Sequence, residues 1–138
     1  MSEAWVKAVL DNAGALLEDA RTLLDKGSSR RALSLTILAQ EELGKVIAHA
    51  PDEKSHVAKS LMTAQFALAG TDVLWTDEQA RQDDRLKQRG FYVDVRPDGT
   101  VLSPLEAIDR DAVLTRIYTI MMIAAVLDPD AADSATEA

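Results

Sequence analysis

The sequence predicts an all-α protein: an up-and-down bundle of four to five helices with a small hairpin-like insertion before the last helix. Three observations predict it. Apolar residues recur at three- and four-residue steps along most of the chain. Glycine or proline stands where most of these periodic stretches end. One short stretch, FYVDVRPDGTVLSP, interrupts the helical pattern with alternating apolar and polar residues.

The first two predicted helices are joined by a short turn. The first runs from about Glu3 to Lys26, and a glycine follows it. Its apolar face contains Trp5, Val9, Leu16, Ala20 and Leu23. Ser28 or Ser29 can cap the second helix, which ends at about Ala50 because the proline after it cannot continue the backbone hydrogen bonding.

Two further helices are predicted in the middle of the chain. The third has Gly70 as its stop and carries Val57, Leu61, Ala64 and Leu68. The fourth is the polar segment TDEQARQDDRLKQRG, which ends at Gly90. Its acids and bases at three- and four-residue steps are typical of a helix with a solvated surface.

The insertion and the last helix complete the bundle. Tyr92 and Val93 alternate with Asp94 and Val95, and the Pro-Asp-Gly sequence after them is typical of a turn. Pro104 is predicted in the first turn of the last helix. The apolar stripe of that helix contains Ala107, Val113, Ile117, Ile120, Met121 and Ala124.

Composition limits the possible functions. The 138 residues suit one domain, predicted at residues 1–127, with a disordered acidic tail at residues 128–138. A formal net charge of −8 disfavours indiscriminate binding to polyanions but does not exclude a local basic cleft. The chain has no cysteine, no apparent signal peptide and no apolar run near the roughly 20 residues of a membrane span. We expect a cytoplasmic protein without a cofactor or metal.

Polar residues fall inside the apolar stripes of the first two helices. At about 100° per residue, Glu42 projects close to Leu35, towards the core. Glu41 projects to the surface, where it could pair with Lys45. The same projection places Asn12 and Asp19 in the stripe of the first helix.

These residues predict a polar layer between the two helices, because an unpaired buried charge costs several kcal/mol. One interpretation is a hydrogen-bond network that fixes the helix register. The other is a cleft in which Glu42, Asp19 and Lys45 handle a ligand. A ferritin-like di-metal site is not predicted, because no Glu-x-x-His stands on facing helices.

Two separate blocks of the sequence resemble one family. NAGALLEDARTLLDKGSSRRALSLTILAQEELGK and KQRGFYVDVRPDG, followed by SP, resemble the AbiV-like group of the HEPN superfamily. The resemblance implies a dimerising helical bundle and a role in abortive infection, a phage resistance in which the infected bacterium halts its growth. It also implies a polar signature, with candidate binding residues Asn12, Asp19, Glu42, Lys45, Tyr92 and Asp94.

Many HEPN proteins are metal-independent ribonucleases with an R-x(4-6)-H motif. Neither His49 nor His56 has an arginine at that spacing before it, so ribonuclease activity is not predicted from the motif. The leading hypothesis is an antiphage effector that arrests host growth through protein or RNA interaction. One alternative is an RNA-cleaving toxin in which Glu42, Asp19 and Lys45 replace the histidine as catalytic residues. Another is a non-toxic scaffold or antitoxin-like module.

The partners predicted are a second copy of the chain and a phage-encoded or host protein, with RNA as a further possibility. The nearly all-apolar segment IYTIMMIAAVL is the candidate dimer helix. The proposed interface residues are Ile117, Ile120, Met121 and Ala124. The alternative interpretation makes the same segment the central core helix of a monomer.

Overall fold

The computed structural model describes residues 2–48, 77–102 and 108–130. Its elements are α1 (Glu3–Asp25), α2 (Ser29–Ala48), α3 (Asp77–Phe91), β1 (Asp94–Val95), β2 (Val101–Leu102) and α4 (Arg110–Leu127). The all-α class and the hairpin before the last helix are confirmed. The predicted third helix, with Val57 to Leu68 and Gly70, lies outside the described residues, as do both histidines.

Helices α1 and α2 form an antiparallel hairpin around a tight glycine turn. The Gly27 N–H donates to Leu24 O at 3.0 Å, and the Ser28 N–H donates to Leu23 O at 2.9 Å. Gly27 has φ +86°, a backbone conformation that residues other than glycine rarely adopt. Because the turn is short, residues at equal distances from it on the two helices lie opposite each other.

The described core is formed by three helices. Buried residues of α1, α2 and α4 pack together, and α2 contacts all three other described helices. The buried face of α1 contains Val6, Val9, Ala13, Leu17, Ala20 and Leu24. This face is rotated from the predicted one, because Leu16 and Leu23 are only partly buried. The rotation moves Asn12 to the helix surface.

The hairpin β1–β2 pairs Val95 with Val101 in antiparallel register. Its turn is closed by the Gly99 N–H, which donates to Arg96 O at 2.8 Å, and Gly99 has φ +87°. The Asp98 carboxylate accepts from the Thr100 N–H at 2.9 Å. The predicted Pro-Asp-Gly turn is therefore formed.

Helix α4 begins later than predicted. Pro104 lies outside the described residues, and the helix starts at Arg110. Asp109 has an extended backbone, and its side chain accepts from the Asp111 N–H at 3.0 Å, so it is the N-cap. The helix ends at Leu127, the predicted domain boundary. Residues 131–138 of the predicted tail and Ala107 are outside the described part.

The four described helices do not meet the requirements of a membrane span. None of them combines sufficient length with sufficient apolar character to cross a bilayer.

Candidate functional site

Three of the predicted site residues meet on the α1–α2 hairpin. The Lys45 ammonium donates to Glu42 Oε1, and Asn12 is hydrogen-bonded to the Glu42 carboxylate. Asn12 and Glu42 stand at equal distances from the turn, so the antiparallel geometry places them side by side. We call Asn12, Glu42 and Lys45 the surface triad, because Asn12 and Lys45 are exposed and the Glu42 side chain is 17% exposed.

The surroundings of Glu42 favour its ionised form. The hydrogen bond from Lys45 lowers the Glu42 pKa most, partial burial opposes that effect, and Asn12 adds a further lowering. The pKa of Glu42 is therefore below its ordinary value, and the carboxylate is charged at neutral pH. A carboxylate with a lowered pKa is a weak general base.

Asp19 does not join the surface triad. It is exposed on α1, seven positions after Asn12 and about 10 Å further along the helix axis. The prediction that Asp19 belongs to an interhelical polar layer is wrong, because rotation of the apolar face leaves it directed to solvent. The structure therefore does not bring Glu42, Asp19 and Lys45 together as one constellation.

Glu41 has a different partner from the one predicted. Its carboxylate accepts from the Lys87 ammonium at 2.9 Å, across the contact between α2 and α3, while Lys45 is used by Glu42. Lys87 also lies 3.1 Å from Asp84. Burial acts to lower the Lys87 pKa, but hydrogen bonds to Glu41 and Asp84 outweigh it, so the Lys87 pKa is raised overall.

The predicted site residues of the second block lie elsewhere. Tyr92 is exposed just after α3, and Asp94 is in β1. The end of α3 packs against α2 near Arg30, since Gly90 lies close to the Arg30 carbonyl oxygen. Glu42 is twelve positions after Arg30 in α2, which places it about 18 Å from Arg30 along the helix axis. Tyr92 and Asp94 are therefore not part of the surface triad.

A second polar cluster is buried among α2, α3 and α4. Arg116 Nη2 donates to Asp83 Oδ1 and to Gln40 Oε1, both at 2.8 Å. The Gln40 amide donates to Asp83 Oδ2 at 3.1 Å. The Asp83 side chain is 5% exposed and that of Arg116 is 14% exposed. We call these three residues the buried network.

The sequence pattern does not predict the buried network. Asp83 stands among many charged residues in a helix whose pattern predicts a solvated surface. Arg116 is the single charged residue of the stretch AVLTRIYTIMMIAAVL and lies beside a core position. No spacing rule links these positions, because they come from three different helices. One weak signal was Gln40, a polar residue close to the core positions of α2.

The proposed interface residues divide between core and surface. Ile117 and Ile120 are 1% and 0% exposed within the chain's own core, so we correct the prediction that they contact a second copy. Met121 is 47% exposed, and Ala124 is partly buried. Both line an open groove of about 570 Å³ between α1 and α4.

The described helices form a bundle in which an antiparallel helix pair carries a polar cluster at its surface. The family model described as AbiV matches residues 1–52, a stretch that contains α1, α2 and the whole surface triad. The predicted resemblance to the AbiV-like HEPN family is confirmed over this part of the chain. The match indicates a function related to abortive infection. Neither the curated proteins nor the solved structures include a significant match.

Proposed function

We propose that this protein is an antiphage effector of the abortive-infection type, which arrests the growth of an infected bacterium by binding a target molecule. The observation that carries the proposal is the AbiV match to residues 1–52, which includes every residue of the surface triad. The growth arrest and its phage trigger come from the resemblance; the surface triad is the candidate binding site.

The geometry favours binding over RNA cleavage at the surface triad. Glu42 is ionised and paired with Lys45, and its lowered pKa makes it a poor acceptor of the proton of a ribose hydroxyl. Asp19, the proposed orienting residue, lies about 10 Å further along α1. The sequence also lacks an arginine at the R-x(4-6)-H spacing before either histidine.

The surface triad can instead present a fixed pattern of polar groups. The Glu42 carboxylate is held by Lys45 and Asn12, and Lys45 remains 55% exposed. A partner can thus meet one carboxylate and one ammonium in a defined arrangement, which gives binding specificity more than affinity. This role needs no proton transfer, and the proposed target is a protein.

The test is inducible expression of the chain in a bacterial host that is then infected with phage. The expected result is early growth arrest and a reduced phage yield, while total RNA stays intact. Glu42→Gln should weaken the protection, because the amide cannot form the ion pair with Lys45. Glu3→Gln is a control for the same loss of one negative charge, since Glu3 is exposed at the start of α1.

Other outcomes would favour the alternatives. Specific RNA cuts by the purified protein in the presence of a chelator, lost in Glu42→Gln, would favour the RNA-cleaving toxin. Unchanged growth and unchanged phage yield on expression would favour the non-toxic scaffold or antitoxin-like module. Far-UV circular dichroism of each variant establishes that the helices are retained.

A further inference from the structure

Helix α3 has two faces with opposite roles. Asp83, Lys87 and Gly90 contact α2, and they project within about 60° of one another. On the same projection, Arg81, Arg85 and Arg89 lie on the opposite side of the helix. A row of three arginines therefore runs along the outer face of α3.

The acidic residues of α3 whose side chains are described pair with groups away from the outer arginines. Asp83 binds Arg116 in the buried network. Asp84 lies 3.1 Å from Lys87 and accepts from the Gln88 amide at 3.1 Å. Arg85 is exposed on the other side. Among the described side chains of residues 81–91, the outer face is thus locally basic, although the whole chain has a formal net charge of −8.

An apolar surface continues this basic row. Tyr92, Val93, Val95 and Val101 are each at least 60% exposed. Val95 and Val101 are cross-strand partners, so their side chains share one face of the hairpin. Val93 lies two residues before Val95, next to the start of β1. Exposed apolar residues grouped in this way mark interaction surfaces.

The basic and apolar parts meet in one depression. A pocket of about 380 Å³ is lined by Arg85, Gln88, Arg89, Tyr92 and Val93. The Tyr92 ring makes an edge contact with Phe91, with ring centroids 6.0 Å apart. We call the outer arginines, this pocket and the three exposed valines the α3–hairpin surface.

We propose that the α3–hairpin surface binds an acidic, partly apolar segment of a partner protein. Arginine forks bind carboxylates in a bidentate manner, and arginine and tyrosine dominate the binding energy of many protein interfaces. The valines need apolar side chains opposite them, which the sugar-phosphate backbone of RNA does not supply. Charge and apolar character together therefore select a protein segment.

The test uses the purified full chain and a fluorescein-labelled peptide of about 12 residues, long enough to extend along α3 and the hairpin. The peptide combines glutamates with leucines. Matched peptides replace every glutamate with glutamine or every leucine with serine, and a single-stranded RNA of similar length is the other probe. Fluorescence anisotropy measures binding at low and high salt.

The wild-type chain should bind the acidic apolar peptide with a Kd below about 1 mM, and both matched peptides should bind more weakly. Arg85→Glu should weaken binding by about tenfold or more, and added salt should also weaken it. Tyr92→Ser should weaken binding through loss of apolar contact. Lys26→Glu, which makes the same charge change elsewhere, should bind like wild type. Arg85→Gln provides a milder second variant if Arg85→Glu loses helical content.

Two outcomes would overturn this proposal. One is the absence of acidic peptide binding by the wild-type chain up to about 1 mM. The other is preferential binding of the RNA, lost in Arg85→Glu, which would assign the surface to nucleic acid. Because peptide binding is measured with purified protein, its failure is distinct from a failure of growth arrest in infected cells.

Discussion

The surface triad and the buried network contain similar groups in different surroundings. Both place a carboxylate beside a cation and an amide. The triad joins two helices that are neighbours in sequence, and water reaches it. The buried network joins three helices and excludes most water. A sequence pattern reveals the first kind of cluster, but the second is expected to matter far more for stability, because an incomplete buried ion pair is costly.

The largest expected effect comes from removing one partner of the buried network. Asp83→Ala leaves the Arg116 guanidinium largely buried without its carboxylate, and we expect a loss of about 3 kcal/mol in the free energy of unfolding. Urea denaturation followed by circular dichroism measures this loss. The double variant Asp83→Leu with Arg116→Met should be more stable than Asp83→Ala, because no charge is left unpaired.

A loss below about 1 kcal/mol for Asp83→Ala, within the range of a surface ion pair, would remove the distinction between the two clusters. The same result would mean that water reaches Arg116 freely.

A second change tests how closely α3 is held against α2. A Cβ at Gly90 would lie 2.0 Å from Ser34 Oγ and 2.7 Å from Arg30 O. Gly90→Ala should therefore destabilise the protein by about 1 to 3 kcal/mol, although alanine favours helix elsewhere. Thermal unfolding measures the change.

Gly14→Ala is the matched control for Gly90→Ala. Gly14 is also a helical glycine, but beyond its own turns of α1 no atom of the described residues lies within 4 Å of the Cβ it would acquire. Gly14→Ala should therefore stabilise the protein by about 0.5 to 1 kcal/mol through helix propensity alone. Equal effects of the two substitutions would show that α3 is not packed tightly on α2.

The smallest expected effect belongs to the surface triad. Because the Glu42 pKa is lowered in the folded chain, its ionised form adds stability above its unfolded pKa of about 4.3. That contribution is lost as the pH falls through the lower folded pKa. Glu42→Gln should therefore cost less than about 1 kcal/mol at pH 7, and the difference should disappear in acid.

Urea denaturation of wild type and Glu42→Gln at several pH values tests this sign. A gap that widens towards acid would contradict the lowered pKa of Glu42. A loss of several kcal/mol at pH 7 would place the triad in the same class as the buried network.

The sequence by itself determined the local features of this protein. Helical periodicity and the glycine turn determine the α1–α2 hairpin, and that short turn determines that Asn12 and Glu42 meet. The Pro-Asp-Gly turn likewise depends on adjacent residues only. Interactions between neighbours in the chain can be predicted because backbone geometry fixes their distances.

Only the tertiary structure decided which residues are buried and which distant groups meet. In the folded chain the buried face of α1 is rotated from the predicted one, so Asp19 is exposed to solvent. Ile117 and Ile120 lie in the chain's own core. The tertiary structure also joins Gln40, Asp83 and Arg116 from three helices. Helical periodicity gives the direction of a side chain relative to its own axis, whereas burial depends on how the helices pack against one another.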